Sequence, residues 1–347
     1  MKKNYRGFSL VEVMVGMVIG LLGLLVIAQV LSISQDSNRT TMSGGDAQQN
    51  AALALMAMER DIRQAGYGTN KTMEFAGCAV KGYDNVHARS IAFSFVPVLI
   101  TQGTGTNPDQ IQVNYGSASM VNVPVALIAS MTGPSSNFRV ANRFGFNGPN
   151  ASKNIQGDVL LIAEAGKPCA LSQVTATPSA PSNAIEHTGS GRYNPTGGLS
   201  PPADFTYSAN AKLFNLGARP VSNQLRVVEG GLQVFSEFGE NVPELLADGI
   251  VDMQAEYGVN TDLSNPLVVG KYTKDTPVSS PEWALVLAVR VGVVARSQKR
   301  DASEVTQNIP SWAGGSFAHV ATLPDWKHYR YRVFETTVVL RNMLWKS

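Results

Sequence analysis

The sequence predicts an α+β protein, in which a long N-terminal hydrophobic helix precedes a globular region built mostly of antiparallel β-sheet. Residues 13–35 contain no charged side chain, which indicates one long apolar helix. Beyond residue 70, runs of alternating apolar and polar residues are separated by glycine, proline and asparagine, a pattern typical of strands and turns. The composition, 44% hydrophobic and 16% charged, is that of a folded chain and is too polar for many membrane spans.

Charge and residue usage exclude several functional classes. The formal net charge is +2, but Lys2, Lys3 and Arg6 lie together at the N-terminus, so the rest of the chain is nearly neutral and lacks the basic excess of a nucleic-acid-binding protein. Two cysteines are too few for a four-cysteine zinc site, and the four histidines show no paired-ligand spacing. We therefore expect no metal, no cofactor, no nucleic-acid partner and no enzymatic activity.

The apolar segment predicts a single membrane span. As a helix, residues 13–35 would extend about 35 Å, which exceeds the roughly 30 Å of a bilayer core. The basic cluster precedes the segment, so we expect a cytoplasmic N-terminus, an inner-membrane anchor and a periplasmic globular part. A cleavable secretory signal fits less well, because no small-residue cleavage site follows the run. Neither a secretory signal nor a plain anchor explains Glu12 at the edge of the run, where a buried charge is costly.

Residues 7–12, GFSLVE, stand behind a short basic leader and ahead of the apolar helix. This arrangement closely resembles the class III signal of type IV prepilins and pseudopilins. The resemblance implies that a prepilin peptidase cleaves between Gly7 and Phe8 and then N-methylates Phe8, while the helix stays on the mature protein. It also implies that Glu12 pairs with the processed N-terminus of an adjacent subunit during assembly. A carboxylate in a low-dielectric helix bundle needs such a cationic partner.

Two glycines in the apolar segment, Gly16 and Gly20, have the GxxxG spacing. One interpretation is close packing of this helix against other membrane helices, since a bare backbone permits close approach. The other is that these are ordinary glycines of a membrane helix. The sequence leaves both open.

Residues 36–68 predict a periplasmic continuation of the helix. The glycine pair at 44–45 is expected to break or loosen it. Residues 47–65 then form an amphipathic helix that Gly66 and Gly68 end, giving either one long interrupted helix or two separate ones. Its apolar stripe is Leu55, Met58, Ile62 and Ala65.

The remaining chain predicts strands and one long loop. Residues 109–115 and 158–164 are expected to be strands, and residues 225–235 a hairpin. The stretch 172–212, rich in serine, proline and glycine, is expected to be a long exposed loop or a domain boundary.

Three alternating runs predict strand faces in the last third. In residues 250–257 one face consists of Val251, Met253, Ala255 and Tyr257, and the polar face of Asp252, Gln254 and Glu256. The other two apolar faces consist of Leu285, Leu287, Val289, Val291 and Val293, and of Phe334, Thr336, Val338 and Leu340.

Four stretches, residues 59–68, 246–262, 283–298 and 331–342, look like the corresponding parts of PilW-type minor pilins. The resemblance implies a pilin-like fold whose N-terminal helix spans the membrane before assembly. It implies a low-abundance subunit that primes or caps the type IV pilus within a tip complex. The expected partners are the prepilin peptidase, other minor pilins, the major pilin, the assembly platform in the inner membrane and a tip adhesin.

We expect five segments along the chain. Residues 1–7 are the leader, 8–35 the transmembrane and assembly helix, and 36–68 its periplasmic continuation. Residues 69–220 form a β-rich region with the long loop, and 221–347 a C-terminal antiparallel β region.

Three other residue groups have two interpretations each. Cys78 and Cys169 lie on the exported side and form either a disulfide or two buried thiols. The alternation in residues 260–264 favours a solvated turn over a calcium loop, because the glycine and distal glutamate of such a loop are missing. Arg290 and Arg296 are expected to be solvated strand charges, with a partner contact as the alternative.

Three other functions share parts of this pattern. A minor pseudopilin of a type II secretion system, similar to the GspJ type, carries the same N-terminal signal, as does a component of a DNA-uptake pseudopilus. A membrane-anchored periplasmic enzyme or binding protein is a third class. Chain length and the C-terminal stretches favour the PilW type.

Overall fold

Helix α1 (Leu10–Gln64) runs without interruption for 55 residues. The computed structural model describes residues 9–68, 73–118, 123–153, 156–179, 182–189, 191–199, 206–240 and 242–344. The expected cleavage and methylation residues, Gly7 and Phe8, lie outside the described residues. At 1.5 Å per residue, α1 is about 80 Å long, and among its described side chains only those of the second half pack against other elements.

The predicted break at Gly44 and Gly45 is wrong, because α1 continues through both residues. Each glycine costs about 1 kcal/mol in a helix interior. Burial of the next turns against the sheets offsets that cost. The buried residues of this half are Ala47, Ala51, Ala54, Met58, Ile62 and Ala65. The predicted stripe is therefore confirmed, with Leu55 packed at its edge.

The end of α1 is confirmed at the predicted glycines. Ala65 caps the helix, and its N–H donates to the carbonyl of Ile62. Gly66 and Gly68 follow with φ of +77° and +79°, a conformation that residues with a Cβ rarely adopt. Two short helices lie near the C-terminus, α2 (Ser280–Trp283) and α3 (Arg341–Leu344).

The strands of the first part of the globular region include the two that the sequence predicts at residues 109–115 and 158–164. They are β1 (Ala79–Asp84), β2 (Arg89–Ser94), β3 (Val98–Thr101), β4 (Gln110–Tyr115), β5 (Val125–Ala126), β6 (Phe138–Arg139), β7 (Val159–Ala163), β8 (Cys169–Gln173), β9 (Ala184–Ile185) and β10 (Lys212–Gly217).

The strands of the second part include the predicted hairpin and the three alternating runs. They are β11 (Val221–Val228), β12 (Gly231–Ser236), β13 (Glu244–Asp248), β14 (Ile250–Val259), β15 (Lys271–Thr273), β16 (Val286–Arg296), β17 (Ser311–Trp312), β18 (Gly315–Ser316) and β19 (Tyr331–Val339). The hairpin β11–β12 turns at Glu229 and Gly230, which both have positive φ, as a two-residue type I′ turn requires.

Three main sheets organise these strands. Their orders are β2-β1-β8-β7-β10-β5, β13-β12-β11-β4-β3 and β15-β14-β16-β19. Among the described strands, every pairing is antiparallel except that of β1 with β8. The main core lies where the second half of α1 packs against the five-stranded and four-stranded sheets. Tyr257 is fully buried in this core, and its hydroxyl accepts a hydrogen bond from the N–H of Ile100 at 2.6 Å.

A disulfide joins Cys78 to Cys169, with their Cα atoms 5.9 Å apart. It lies beside the parallel pairing of β1 and β8, where Val80 is opposite Cys169. A parallel pair closes a long crossover, so the disulfide holds together two strands that are distant in the sequence. The six-stranded sheet that contains them has an apolar cluster on each face.

The prediction of a long exposed loop over 172–212 is wrong for much of the described part. Ile185, His187, Tyr193 and Tyr207 are all buried. The Tyr207 hydroxyl donates to the Pro168 carbonyl at 2.7 Å. Asn194 extends this anchoring, because its side chain accepts from the N–H of Gln173 and donates to the carbonyl of Gln173. Apolar side chains spaced along the polar stretch thus hold it on the six-stranded sheet.

Two bulges shift the predicted strand faces by one residue. In β14, Ile250 is opposite Ala295 and Asp252 is opposite Val294, so Val251 is the extra residue and packs on the outer face instead of in the main core. In β16, Leu287 is the extra residue, and Val286 takes its expected place. The other members of those two faces, Met253, Ala255, Tyr257, Val289, Val291 and Val293, lie in the main core as predicted, whereas Leu285 precedes β16.

The third face is confirmed for three of its four residues. Val338 and Leu340 are buried in the main core, and Phe334 packs against it, whereas Thr336 is half-buried.

The polar face of β14, with Asp252, Gln254 and Glu256, is buried. Segment 297–330 covers it and forms an outer apolar cluster around Trp312, Phe317 and Val320. Under this cover, Glu256 pairs with Arg290 at 2.5 Å. Arg290 and Arg296, which we expected to be solvated, therefore have partners within the chain. The guanidinium carbon of Arg290 also lies 4.0 Å from the Tyr272 ring centre, and that of Arg296 lies 4.6 Å from the Tyr329 ring centre.

Of the two carboxylates on the polar face of β14, Asp252 has the less favourable surroundings. It is fully buried, and its Oδ2 atom has no hydrogen-bond partner among the described residues. Burial, with a further contribution from the Asp109 carboxylate, raises the pKa of Asp252 to about 6 from its ordinary value of 3.8. The folded state is therefore most stable when the Asp252 carboxyl is protonated. The contribution of this group to the free energy of unfolding falls as the pH rises from about 4 through 6.

We expect Asp252→Asn to raise the free energy of unfolding by about 1–3 kcal/mol at pH 7.5, because no charge then needs to be buried. Near pH 4 the substitution should have little effect. Denaturant unfolding of the full chain in detergent at both pH values checks this. An unchanged or lower stability at pH 7.5 would contradict the assignment.

We expect removal of the disulfide to lower the free energy of unfolding by about 2–4 kcal/mol, because the chain between the two cysteines then gains conformational freedom in the unfolded state. Unfolding of the full chain with and without reductant measures the effect. The double variant Cys78→Ser/Cys169→Ser is the control and should not respond to reductant. An identical response of both proteins would exclude a stabilising disulfide.

Candidate functional site: the exposed half of the N-terminal helix

The first half of α1 is apolar but packs on nothing in the described part of the chain. Leu10–Ser32 has a mean hydropathy of 2.7, and none of it is buried. Its large apolar side chains are between 45% and 79% exposed. The helix is long and apolar enough to cross a membrane. An apolar surface of this size requires either lipid or other helices around it.

The start of α1 is closed by a reciprocal pair of hydrogen bonds. The N–H of Glu12 donates to the Ser9 hydroxyl at 3.2 Å, and the N–H of Ser9 donates to Glu12 Oε2 at 3.0 Å. This capping box satisfies two backbone donors that a helix start leaves unpaired. Ser9 has no role among the predictions from the sequence, although the S-x-x-E spacing of residues 9–12 is the signature of this motif. Among the described residues, Glu12 Oε1 has no hydrogen-bond partner.

Glu12 lies on the same face of the helix as the glycines. With 3.6 residues per turn, Glu12, Gly16, Gly20 and Gly23 fall within an arc of about 80°. A Cβ built on any of these three glycines would meet no atom within 4 Å. The arrangement therefore presents a carboxylate at one end of a strip of bare backbone, open to a neighbouring helix.

The other candidate groups have local roles in this structure. The Asp262 carboxylate accepts hydrogen bonds from the N–H and hydroxyl of Ser264, and the Asn260 amide donates to two carbonyls of the same turn. In the described part of the chain, no group of three or more histidine, cysteine or acidic residues is placed to hold a metal ion.

Two family models match the chain. Residues 2–28 match the model described as "Prokaryotic N-terminal methylation motif". Residues 219–342 match the model described as "Type IV Pilus-assembly protein W". These matches cover the N-terminal segment and the C-terminal third of the chain. Together the two matches support a minor pilin in type IV pilus assembly.

The PilW match covers the strands from β11 to β19, whereas β1 to β10, which include the whole six-stranded sheet, and the long polar stretch lie outside it. Among solved structures, the chain is similar to "Type IV-like pilin TTHA1219 from Thermus thermophilus". The identity is 12% over 54% of this chain and 84% of that chain, with a TM-score of 0.26. No curated protein matches the chain.

Proposed function

We propose that this minor pilin is anchored in the inner membrane by one span, with its N-terminus in the cytoplasm and its globular part in the periplasm. A prepilin peptidase removes residues 1–7 by cleaving between Gly7 and Phe8, and Phe8 is then N-methylated. The processed subunit catalyses no reaction. It primes or caps the type IV pilus as part of a tip complex with other minor pilins, the major pilin and a tip adhesin.

The observation that carries the proposal is the uncovered first half of α1. A span exposed along its whole length is stable in lipid and is equally suited to a bundle of like helices. The subunit can therefore leave the membrane for a fibre without refolding its globular part, provided that neighbouring helices replace the lipid. The assembly platform in the inner membrane is the place where that exchange would occur.

Processing supplies the charge that Glu12 needs. Removal of residues 1–7 takes away Lys2, Lys3 and Arg6, which favour a cytoplasmic N-terminus, and leaves a single ammonium on Phe8. In a helix bundle an unpaired carboxylate is unfavourable, so an ammonium from the adjacent subunit stabilises it. Because Glu12 lies on the glycine face, this pairing would also fix the register at which two helices meet.

The charge of Glu12 can be separated from its role in the helix cap. Glu12→Gln keeps an oxygen for the Ser9 N–H but removes the charge. We expect this variant to be processed normally but to enter sheared pili at least tenfold less, since breaking a buried ion pair costs about 3–5 kcal/mol. Glu12→Ala should behave likewise. Quantitative immunoblotting of the sheared and membrane fractions measures the ratio.

Two controls accompany this test. Ser9→Ala removes the cap but keeps the charge, and Glu59→Gln removes a carboxylate from the globular half of α1, where its partner is Arg63. Both should enter pili normally. Normal incorporation of Glu12→Gln, or an equal loss in Ser9→Ala, would refute the pairing role.

The cleavage assignment predicts that a large residue at position 7 blocks processing. Gly7→Leu should leave residues 1–7 attached, because the peptidase would no longer accept the residue before the cut. Intact-mass analysis of the membrane form distinguishes the two products. A normal methylated Phe8 terminus in this variant would show that cleavage occurs elsewhere or does not depend on Gly7.

The glycine face predicts a size limit at two positions. Gly16→Leu/Gly20→Leu should insert and be processed normally but enter pili about tenfold less, because side chains would separate the helices. Ala28→Leu, which enlarges a small exposed residue outside the glycine face, is the matched control. Equal incorporation of both variants would favour the interpretation of Gly16 and Gly20 as ordinary membrane-helix glycines.

A further inference from the structure

A cleft of about 770 Å³ lies where α1 enters the globular region. On one side are Gly44, Gly45 and Gln48 of α1, and on the other Arg330 and the start of β19. The two glycines leave the helix backbone bare, since a Cβ on either would meet no atom within 4 Å. The cleft therefore has room for a segment that approaches the α1 backbone closely.

Within the described residues, the lining of the cleft carries positive charge. It includes two arginines, and no acidic residue is among the described residues that line it. Arg330 is partly neutralised, because its Nε atom pairs with Asp301 at 3.1 Å. Arg332 is exposed and forms no ion pair or hydrogen bond within the described residues. One guanidinium at the cleft thus keeps its full charge and all of its donors.

Tyr331, between these arginines, does not present its side chain to the cleft, because it packs against the outer apolar cluster around Trp312 and Phe317. Side chains alternate between the two faces of a strand, so Arg332 lies on the other face of β19, the face on which Phe334 packs against the main core. A carboxylate or a phosphate brought in by another molecule would pair with the Arg332 guanidinium.

The position of the cleft along α1 decides between a lipid headgroup and a protein carboxylate. The apolar span ends at Ser32, and Gly44 lies twelve residues further, about 18 Å along the helix. The headgroup layer on each side of a bilayer core is only about 5–7 Å thick. The phosphates of the membrane that holds the span therefore do not reach the cleft, whereas a subunit packed beside α1 does.

We propose that the cleft binds an acidic segment of an adjacent pilin subunit, whose carboxylate pairs with Arg332. This inference rests on the proposed function, because it takes the neighbour to be packed alongside α1. It gives the globular half of the helix its own contact, separate from the one at Glu12. The charge of Arg332 then selects which subunit sits beside this one.

Photo-crosslinking in piliated cells tests this proposal with the full-length protein. The endogenous copy is replaced by a chain with p-benzoylphenylalanine at Gln48, which lines the cleft. The same probe at Gln49, also exposed but outside the cleft lining, is the matched control. We expect the first probe, and not the second, to crosslink another pilin at a peptide that contains Asp or Glu, identified by mass spectrometry.

Charge substitutions then test the pairing. Arg332→Glu and Arg332→Gln should each lower that crosslink about tenfold or more, as expected when one charge-assisted contact is lost. Arg139→Glu reverses an exposed arginine on β6 and should leave it unchanged. The proposal is wrong if the Arg332 variants crosslink normally, if the peptide has no acidic residue, if lipid is captured, or if the Gln48 probe captures nothing while surface pili are present.

The experiments distinguish an error in the cleft proposal from an error in the proposed function. If only the cleft proposal is wrong, Glu12→Gln still lowers incorporation into pili, while the Gln48 and Gln49 probes behave alike. If the proposed function is wrong, neither Glu12→Gln nor loss of the whole chain changes the surface pili.

Discussion

One helix has to be stable in two different surroundings, and the rest of the structure depends on that constraint. The first half of α1 exposes an unbroken apolar surface, whereas the second half is built into the main core through Ala51, Ala54, Met58 and Ile62. Because α1 is continuous across Gly44 and Gly45, the two halves form one rod. The position of the globular region is therefore fixed by whatever surrounds the apolar half.

Small residues make this arrangement possible. Alanines on the buried side of α1 allow the five-stranded and four-stranded sheets to come close to the helix, and the glycines on the exposed half leave a similarly narrow strip for another helix. The same rod thus carries one surface that packs within the chain and one that, in the proposed function, packs against another subunit. The cleft beside Gly44 lies where the first surface ends, and it is there that we propose a polar contact with a neighbouring subunit.

The features that the sequence predicts correctly are local. The apolar helical segment, the stripe at Met58 and Ile62 and the hairpin that turns near Glu229 depend on spacing within a few residues. The features it misses come from contacts between distant segments. The bulge at Val251 is defined by pairing with β16, and Asp252 is buried only because segment 297–330 folds over it.

The same distinction applies to the candidate sites. Glu12 can be found because a charge interrupts an apolar run, and Ser9 could have been found from its spacing to Glu12. The cleft at Arg332 cannot be read from the sequence, because its two sides are nearly 300 residues apart and come together only when β19 packs beside α1. Aromatic anchors such as Tyr207 likewise hold a stretch whose composition alone indicates an exposed loop.

The proposed function makes this protein necessary for building type IV pili. The most direct measurement is the amount of major pilin sheared from the surface of a deletion strain and of the same strain carrying the gene in trans, quantified by immunoblot. We expect loss of surface pilin in the deletion strain and its return on complementation, with the total pilin in the cells unchanged. Surface pilin at the normal level in the deletion strain, after removal of any second minor-pilin operon, would contradict the proposed function.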